Sequence, residues 1–296
     1  MEVEPPSDGM GFVHRGLCMS NEYLCDIIVG MDTIIYVATF ILGTIIGSFL
    51  NVVIFRYNTG KTMGGRSMCL SCSKTLKWNH LIPVLSYLFL LGRCAYCKTK
   101  VSIQYPIIEV LTGLAFMLIV HRVYLIPIAF IYFIVFSILL VIAVYDYRHK
   151  IIPDGLVYAF IGISFLRIAT EYFWGGGAFM QDFSSGLIIS LFFATLWWVS
   201  DGRWMGFGDA KLALGIGWLL PFCQNVSAIM LAFFVGSIVG LFLMFVAKMT
   251  SKRGGGFAFD KEIPFAPFLI FSAFVSFVFN FDILGIIMGG VFVCLG

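Results

Sequence analysis

The sequence predicts an all-α polytopic membrane protein of about eight transmembrane helices, with a small cytoplasmic domain inserted after the first. Three observations carry that prediction. The chain of 296 residues is 60 % hydrophobic. Only 12 % of its residues are charged, against about 25 % in soluble domains, which excludes a water-soluble enzyme with a large core. The apolar residues are gathered into long runs, and one longer polar stretch interrupts them at 56–104.

Residues 1–32 read as an N-terminal extension of acidic and proline character, with Glu2, Glu4, Pro5, Pro6, Asp8, Glu22 and Asp26. No basic segment precedes an apolar one there, so a cleavable signal peptide is not expected, and Met31 is an alternative start. The run 33–55 has 23 residues. As a helix it is about 34 Å long, enough to cross a bilayer with some tilt. Gly43, Gly47 and Ser48 would let a neighbouring helix approach it closely.

The stretch 56–104 is polar, basic and cysteine-bearing. Cys69-Leu70-Ser71-Cys72 and Cys94-Ala95-Tyr96-Cys97 are two C-x-x-C knuckles with 21 residues between them. That spacing suits four thiolates closing a tetrahedron around zinc. Redox-active dithiols and four unrelated thiols are the alternatives. A reducing cytoplasm disfavours a disulfide pair there. With Cys69, Cys72, Cys94 and Cys97 filling all four positions, no site is open for water, so the zinc is expected to be structural. Cys18, Cys25, Cys223 and Cys294 have no ligand spacing and are expected to be unpaired. Residues 78–87, Trp78-Asn79-His80-Leu81-Ile82-Pro83-Val84-Leu85-Ser86-Tyr87, are apolar enough to lie on or dip into the membrane surface. His80 is either a further ligand or a surface or hydrogen-bonded histidine.

Residues 105–296 read as a transmembrane domain, with apolar runs at roughly 105–121, 124–145, 155–173, 183–200, 210–222, 226–247 and 264–281. The run 210–222 is short and contains Pro221, which suggests a half-length or broken helix. The apolar tail 283–296 is too short to span securely. No solenoid or inverted repeat is visible. Orientation follows from lysine and arginine. If the 56–104 loop is cytoplasmic, alternation places sixteen of the nineteen basic residues on that side, leaving only Arg15, Arg122 and Arg167 elsewhere. The amino terminus is therefore expected outside.

In Met205-Gly206-Phe207-Gly208-Asp209-Ala210-Lys211-Leu212 an acidic residue lies between two glycines and a lysine at the edge of an apolar run. An ionisable group at that depth is costly and points to function. The bland alternative is that Asp209 caps the following helix. Val144-Tyr145-Asp146-Tyr147-Arg148-His149-Lys150-Ile151-Ile152-Pro153-Asp154 ends an inward-running helix, so Asp146 falls on the same face as Asp209. Two carboxylates at one depth can share a proton, one acting as general base on water and the other as acid on a carbonyl. An ion pair of Asp146 with Arg148 or Lys150 is the alternative. Asp154 follows Pro153 and is as well placed to cap the next helix as to act chemically.

These motifs together resemble the type IV prepilin peptidases, bifunctional leader peptidases and N-methyltransferases of pilus and type II secretion systems, across about residues 40–275. Gly47-Ser48-Phe49-Leu50-Asn51-Val52-Val53-Ile54-Phe55-Arg56 resembles the family's first helix. The paired knuckles, Ile82-Pro83-Val84-Leu85-Ser86-Tyr87 and Tyr105-Pro106-Ile107-Ile108-Glu109 resemble its cytoplasmic domain. Asp146 with Ile152-Pro153-Asp154 matches the first catalytic aspartate motif, and Gly206-Phe207-Gly208-Asp209 the second, the GxGD signature shared with presenilin-like and preflagellin peptidases. Ile263-Pro264-Phe265-Ala266-Pro267-Phe268 resembles a late loop that usually has glycine in place of Ala266. Leu70 stands where proline is common, and Gln104 where arginine often precedes Tyr-Pro.

The resemblance implies an intramembrane aspartic endopeptidase of the bacterial inner membrane, with Asp146 and Asp209 catalytic on the cytoplasmic side. Its substrate would be a prepilin or pseudopilin, cut just after a glycine at the end of a short basic leader. The new amino terminus would then be methylated by S-adenosylmethionine. No dinucleotide-type G-x-G-x-x-G follows a strand, so the methyl-donor residues are not assigned. Gly206 and Gly208 are candidates for leaving room for the extended substrate. Glu109 lies in a membrane run and is a candidate for recognising the substrate amine, a helix–helix hydrogen bond being the alternative. Gln104 and Ala266 are placed to alter substrate or methyl-donor contacts. The basic loop suits anionic lipid head groups, and no nucleic acid is expected as a partner. Two other classes compete. A proton- or ion-coupled transporter would need acidic residues near the bilayer midplane in paired broken helices. A zinc-stabilised scaffold would leave Gly-Phe-Gly-Asp without a purpose.

Overall fold

The computed structural model describes residues 22–59, 64–65, 67–69, 71–123, 126–173, 179–250, 263–280 and 282–283. Expectations for residues 1–21, for Leu70 and for the tail beyond Ile283 lie outside the described residues. Nine α-helices are described: α1 (Glu22–Arg56), α2 (Leu85–Phe89), α3 (Gln104–Arg122), α4 (Ile126–His149), α5 (Asp154–Phe173), α6 (Phe179–Val199), α7 (Phe207–Leu219), α8 (Phe222–Thr250) and α9 (Ala266–Phe279). Among the described residues, five helical stretches are long and apolar enough to cross a membrane: Thr33–Arg56, Gln104–Arg122, Pro127–His149, Phe179–Val199 and Phe222–Val246. α1 begins at Glu22, inside the stretch read as an extension, because Ile27, Ile28 and Val29 continue the apolar run toward the amino end.

The chain divides into two compact units, one of Met1–Phe49 with Arg66–Leu125 and one of Leu50–Gly65 with Ile126–Gly296. In the first, α1 and α3 touch through the small residues the sequence singled out. A Cβ on Gly43 would lie 2.7 Å from the Gly113 Cα, and one on Gly47 would lie 2.8 Å from the Glu109 Cα. With lipid outside and no hydrophobic drive between helices, such backbone approach is how they associate.

The cysteine stretch of this unit has no extended sheet among its described residues. Each knuckle forms a small hairpin, and the two hairpins repeat one another. Antiparallel bridges pair Met68 with Thr75 and Arg93 with Lys100. Ser73 N–H donates to the Cys69 carbonyl at 2.9 Å, as Lys98 N–H does to that of Cys94 at 3.1 Å. Ser73 (φ 54°) and Lys98 (φ 59°) both take the left-handed turn that follows the second cysteine.

In the second unit, α7 is the buried centre, with nine of its 13 residues inside, Asp209 and Trp218 among them. At 1.5 Å per residue it is about 20 Å long, short of the roughly 30 Å hydrocarbon core. Its last carbonyls would therefore face an apolar interior, where each unpaired group is costly. Two side chains satisfy them. Arg167 Nη1 donates to the carbonyls of Trp218 (3.0 Å) and Leu219 (2.7 Å). Asn225 Nδ2 donates to those of Gly217 (2.9 Å) and Leu220 (2.7 Å), and to Ser185 Oγ at 3.1 Å. The broken helix expected around Pro221 is thus closed off by a cation and an amide. α6 lies directly against it, since a Cβ on Gly217 would overlap the Cα of Gly186.

One expectation is corrected. Cys223, read as unpaired, is disulfide-bonded. It sits just past the C-terminal end of α7, the end opposite to Asp209. Cysteines far apart in sequence show no ligand spacing, so local pattern could not reveal this pairing.

Candidate active site and metal centre

The two aspartates come from different ends of different helices. Asp146 is in the last turn of α4, and Asp209 in the first turn of α7. Both are buried, 5 % and 6 % exposed, on a chain whose carboxylates would otherwise seek water. The charge of Asp146 acts directly on the Asp209 carboxyl, so the fold brings the two together. A negative charge on one therefore disfavours a charge on the other.

Each carboxylate is aimed by backbone amides. α7 starts at Phe207 with Gly206 as its N-cap, so Asp209 is the third helical residue and not the cap. From there its carboxylate reaches back to the Gly206 N–H, the acidic half of a capping box. The cap reading was therefore half right. Oδ1 of Asp209 is buried with no hydrogen-bond partner among the described residues. Asp146 accepts the N–H of Ala266, the first residue of α9. A helix N-terminus is a ready anion site, and Pro267 behind it has no N–H, so Ala266 supplies the donor. The ion pair considered with Arg148 is not what holds Asp146, since that guanidinium lies over the Phe55 ring at 4.4 Å from its centroid.

The two glycines differ. A Cβ on Gly206 would meet nothing nearer than Asp209 Oδ2 at 3.8 Å, so the surface beside the second aspartate is open. A Cβ on Gly208 would sit 3.0 Å from the Ile152 Cβ, so that glycine is required by packing against the α4–α5 connection. Asp154 is held elsewhere. It begins α5 and accepts a 2.7 Å bond from Lys211 Nζ.

In the first unit, the sulfurs of Cys69, Cys72, Cys94 and Cys97 all lie within 4.8 Å of one another. Cys69 and Cys97 Sγ are 3.7 Å apart. Four sulfurs about 2.3 Å from a tetrahedral zinc would be about 3.8 Å apart, so the residues present fit that ion. The N–H groups of Cys72 and Ser71 lower the Cys69 thiol to about 6. Cys97 is lowered by the Thr99 hydroxyl, 3.0 Å from its sulfur, and by the Thr99 N–H. Cys72 moves the other way, to about 11. The Lys74 N–H favours its thiolate, but desolvation and the Cys97 and Cys69 sulfurs outweigh it. A cluster that holds some protons until a cation displaces them is what metal binding coupled to deprotonation requires. His80 does not join the cluster. Its ring meets Tyr96 edge-on, with centroids 5.7 Å apart.

Two family models match the chain: the bacterial peptidase A24 N-terminal domain over residues 41–123 and the type IV leader peptidase family over residues 133–245. A type 4 prepilin-like proteins leader peptide-processing enzyme of Escherichia coli is 30% identical, the alignment covering 77% of this chain and 87% of that one. Prepilin leader peptidase/N-methyltransferases of Neisseria gonorrhoeae (29% identical, 79% and 88% covered) and Vibrio cholerae (27%, 83% and 98%) are similar to it as well. The chain belongs to the type IV leader peptidase family. No solved structure matches it significantly.

For this leader peptidase family member, the two matched regions divide the site residues as the two compact units do. The four cysteines and Glu109 fall in the first, and Asp146, Gly206, Gly208 and Asp209 in the second. Glu109 is 7 % exposed; it accepts the Val84 N–H at 2.7 Å and the Ser48 hydroxyl. Val84 has φ 61°, which a β-branched residue rarely adopts, so the carboxylate clamps a strained turn of the Ile82-Pro83-Val84 loop. Ala266, a departure from the family pattern by its side chain, reaches Asp146 through its backbone, a contact that side-chain identity does not advertise.

Proposed function

We propose that this chain is a membrane aspartic endopeptidase that removes the leader of type IV prepilins or type II secretion pseudopilins and then methylates the new amino terminus. The observation that supports it most is the pair Asp146 and Asp209, buried together, with one Asp209 oxygen unpartnered beside an open Gly206. The chemistry follows from a shared proton. The ionised carboxyl takes a proton from a water whose oxygen attacks the scissile carbonyl. The protonated carboxyl gives its proton to the carbonyl oxygen. When the tetrahedral adduct collapses, the C–N bond breaks, the leaving nitrogen takes the proton held by the first carboxyl, and a hydroxyl of the adduct returns its proton to the second as the carbonyl re-forms. Gly206 supplies the space for an extended backbone at the scissile bond, and a small residue on the substrate suits that closeness.

The distribution of lysine and arginine supports a cytoplasmic active site, in a multi-pass protein of the bacterial inner membrane. A basic leader left in the cytoplasm then meets the dyad where its apolar helix enters the bilayer. The metal at Cys69, Cys72, Cys94 and Cys97 is read as zinc with a structural role, since four sulfurs leave no open position. Methylation is supported by the names of the relatives, with S-adenosylmethionine as donor. Glu109 is kept as a candidate contact for the substrate amine, reached by exchange of its Val84 bond.

The experiment is mass spectrometry of a prepilin incubated with the purified protein, with and without S-adenosylmethionine. Wild type should yield the shortened chain, and with the donor a product heavier by one methyl group. Asp146→Asn and Asp209→Asn should each yield neither. Cleavage at the wild-type rate by either variant would sink the dyad.

A further inference from the structure

Asp146 and Asp209 lie on separate helices, 63 positions apart in number, so something must fix one against the other. Besides the Trp197 ring against Phe207, three contacts on the first turns of α7 bear on this. Ile152 packs against Gly208. Ser190 Oγ donates to the Ala210 carbonyl at 3.0 Å. The third is Lys211, whose Nζ donates to Asp154 Oδ1 at 2.7 Å while lying 5.3 Å from the Tyr158 ring centroid and 5.4 Å from that of Phe207.

The ammonium is partly enclosed. The Lys211 side chain is 21% exposed, with two aromatic faces beside it, while the Asp154 side chain is 62% exposed. Exposed ion pairs with no such enclosure contribute little, whereas a cation held between rings and a carboxylate is restrained in both distance and direction. Its partner stands at the start of α5, where the helix N-terminus favours a carboxylate. α5 follows α4 after only four residues, 150–153, so Asp154 is tied closely to the chain that carries Asp146.

The geometry of α7 turns this into an angular restraint. At about 100° per residue, Lys211 projects roughly 200° around the helix from Asp209. The catalytic carboxylate faces its partner while the lysine, on nearly the opposite side, is anchored to the start of α5. We infer that Lys211 and Asp154 form a strut that sets the rotation of α7 and so positions Asp209 against Asp146. Both are positioning residues, touching neither the substrate nor the reacting atoms. This rests on the dyad reading, and it assigns a purpose to the lysine that ends the Gly-Phe-Gly-Asp-Ala-Lys stretch.

The full-length protein in nanodiscs, with a prepilin as probe, tests it through a cycle of variants. Lys211→Met and Asp154→Asn should each lower kcat by about 10- to 100-fold, the loss expected when a reacting group is slightly misplaced, with KM unchanged. Lys211→Arg should keep most of the activity. The double variant should be no worse than the weaker single. The exchanged pair, Lys211→Asp with Asp154→Lys, should recover part of the loss. A Lys211→Met enzyme with wild-type kcat, or singles whose losses multiply in the double, would overturn the strut. Amide hydrogen exchange at residues 206–212 reads the same restraint without substrate. Faster exchange there in Lys211→Met and Asp154→Asn, with unchanged exchange in α3, supports the strut, and unchanged exchange at 206–212 overturns it. An active Asp209→Asn would instead refute the dyad, so the two failures are told apart.

Discussion

Replacing Gly208 by alanine should slow cleavage where replacing Gly206 does not disturb the fold, and the structure sets the size of the difference. A Cβ at Gly208 would meet Ile152 at 3.0 Å (Cβ), 3.1 Å (Cδ1) and 3.4 Å (Cγ1), closer than ordinary contact. Overpacking of that kind costs about 1–3 kcal/mol. Because Gly208 precedes Asp209 and Ile152 lies between Asp146 and Asp154, the relief is a shift of one aspartate relative to the other. If that whole cost appears in the transition state, kcat falls about 5- to 150-fold. Gly206→Ala meets nothing nearer than 3.8 Å, so it should leave thermal stability unchanged and raise KM only if the substrate backbone occupies that opening. The assay is a cleavage time course for Gly208→Ala, Gly206→Ala, and Gly208→Ala with Ile152→Ala. The last removes two of the three close approaches and should restore part of the rate. If the pair is as slow as Gly208→Ala alone, or if Gly208→Ala cuts at the wild-type rate, the packing argument is wrong.

Three further outcomes follow from other parts of the molecule. Cys72→Ser should release the bound metal and raise protease sensitivity within residues 66–104; unchanged zinc by plasma emission would contradict the four-sulfur site. Asn225→Leu strips the donor from the Gly217 and Leu220 carbonyls. Given about 1–3 kcal/mol per orphaned group and smaller values measured in bilayers, it should cost about 1–4 kcal/mol, read as a lower Tm in detergent. Gly43→Ala forces a Cβ to within 2.7 Å of the Gly113 Cα, so α1 and α3 must separate. Cysteine crosslinks engineered between the two helices should form more slowly in that variant.

Much of the molecule was legible in its residues, and the gaps have physical causes. Apolar runs and their breaks located the helices because bilayer length is a strong constraint on sequence. The small residues at Gly43 and Gly47 announced the α3 contact, since close approach has a compositional signature. The cysteines declared themselves by spacing. By contrast, α4, α7 and α8 are apolar on every side, so no stripe tells which face is inward. That is why the neighbours of Asp209 could not be read from its own helix. Ala266 acts through an amide, Lys211 through a carboxylate 57 residues away, and Cys223 through a distant thiol. Each of these belongs to a pair that only the fold brings together. One Asp209 oxygen reaches back to Gly206, and the other is buried with no hydrogen-bond partner among the described residues.

That asymmetry within a single carboxylate has a consequence for how the region can vary. Because Asp209 reaches back to Gly206, its direction is counted from the helix start. One residue inserted between them would carry the carboxylate about 100° around the axis and 1.5 Å along it. One deleted would do the reverse. The number of peptide units between 206 and 209 therefore cannot change without re-aiming the carboxylate. This stretch therefore encodes its chemistry in length as much as in composition, and a library of insertions there should be inactive throughout, even where each member folds.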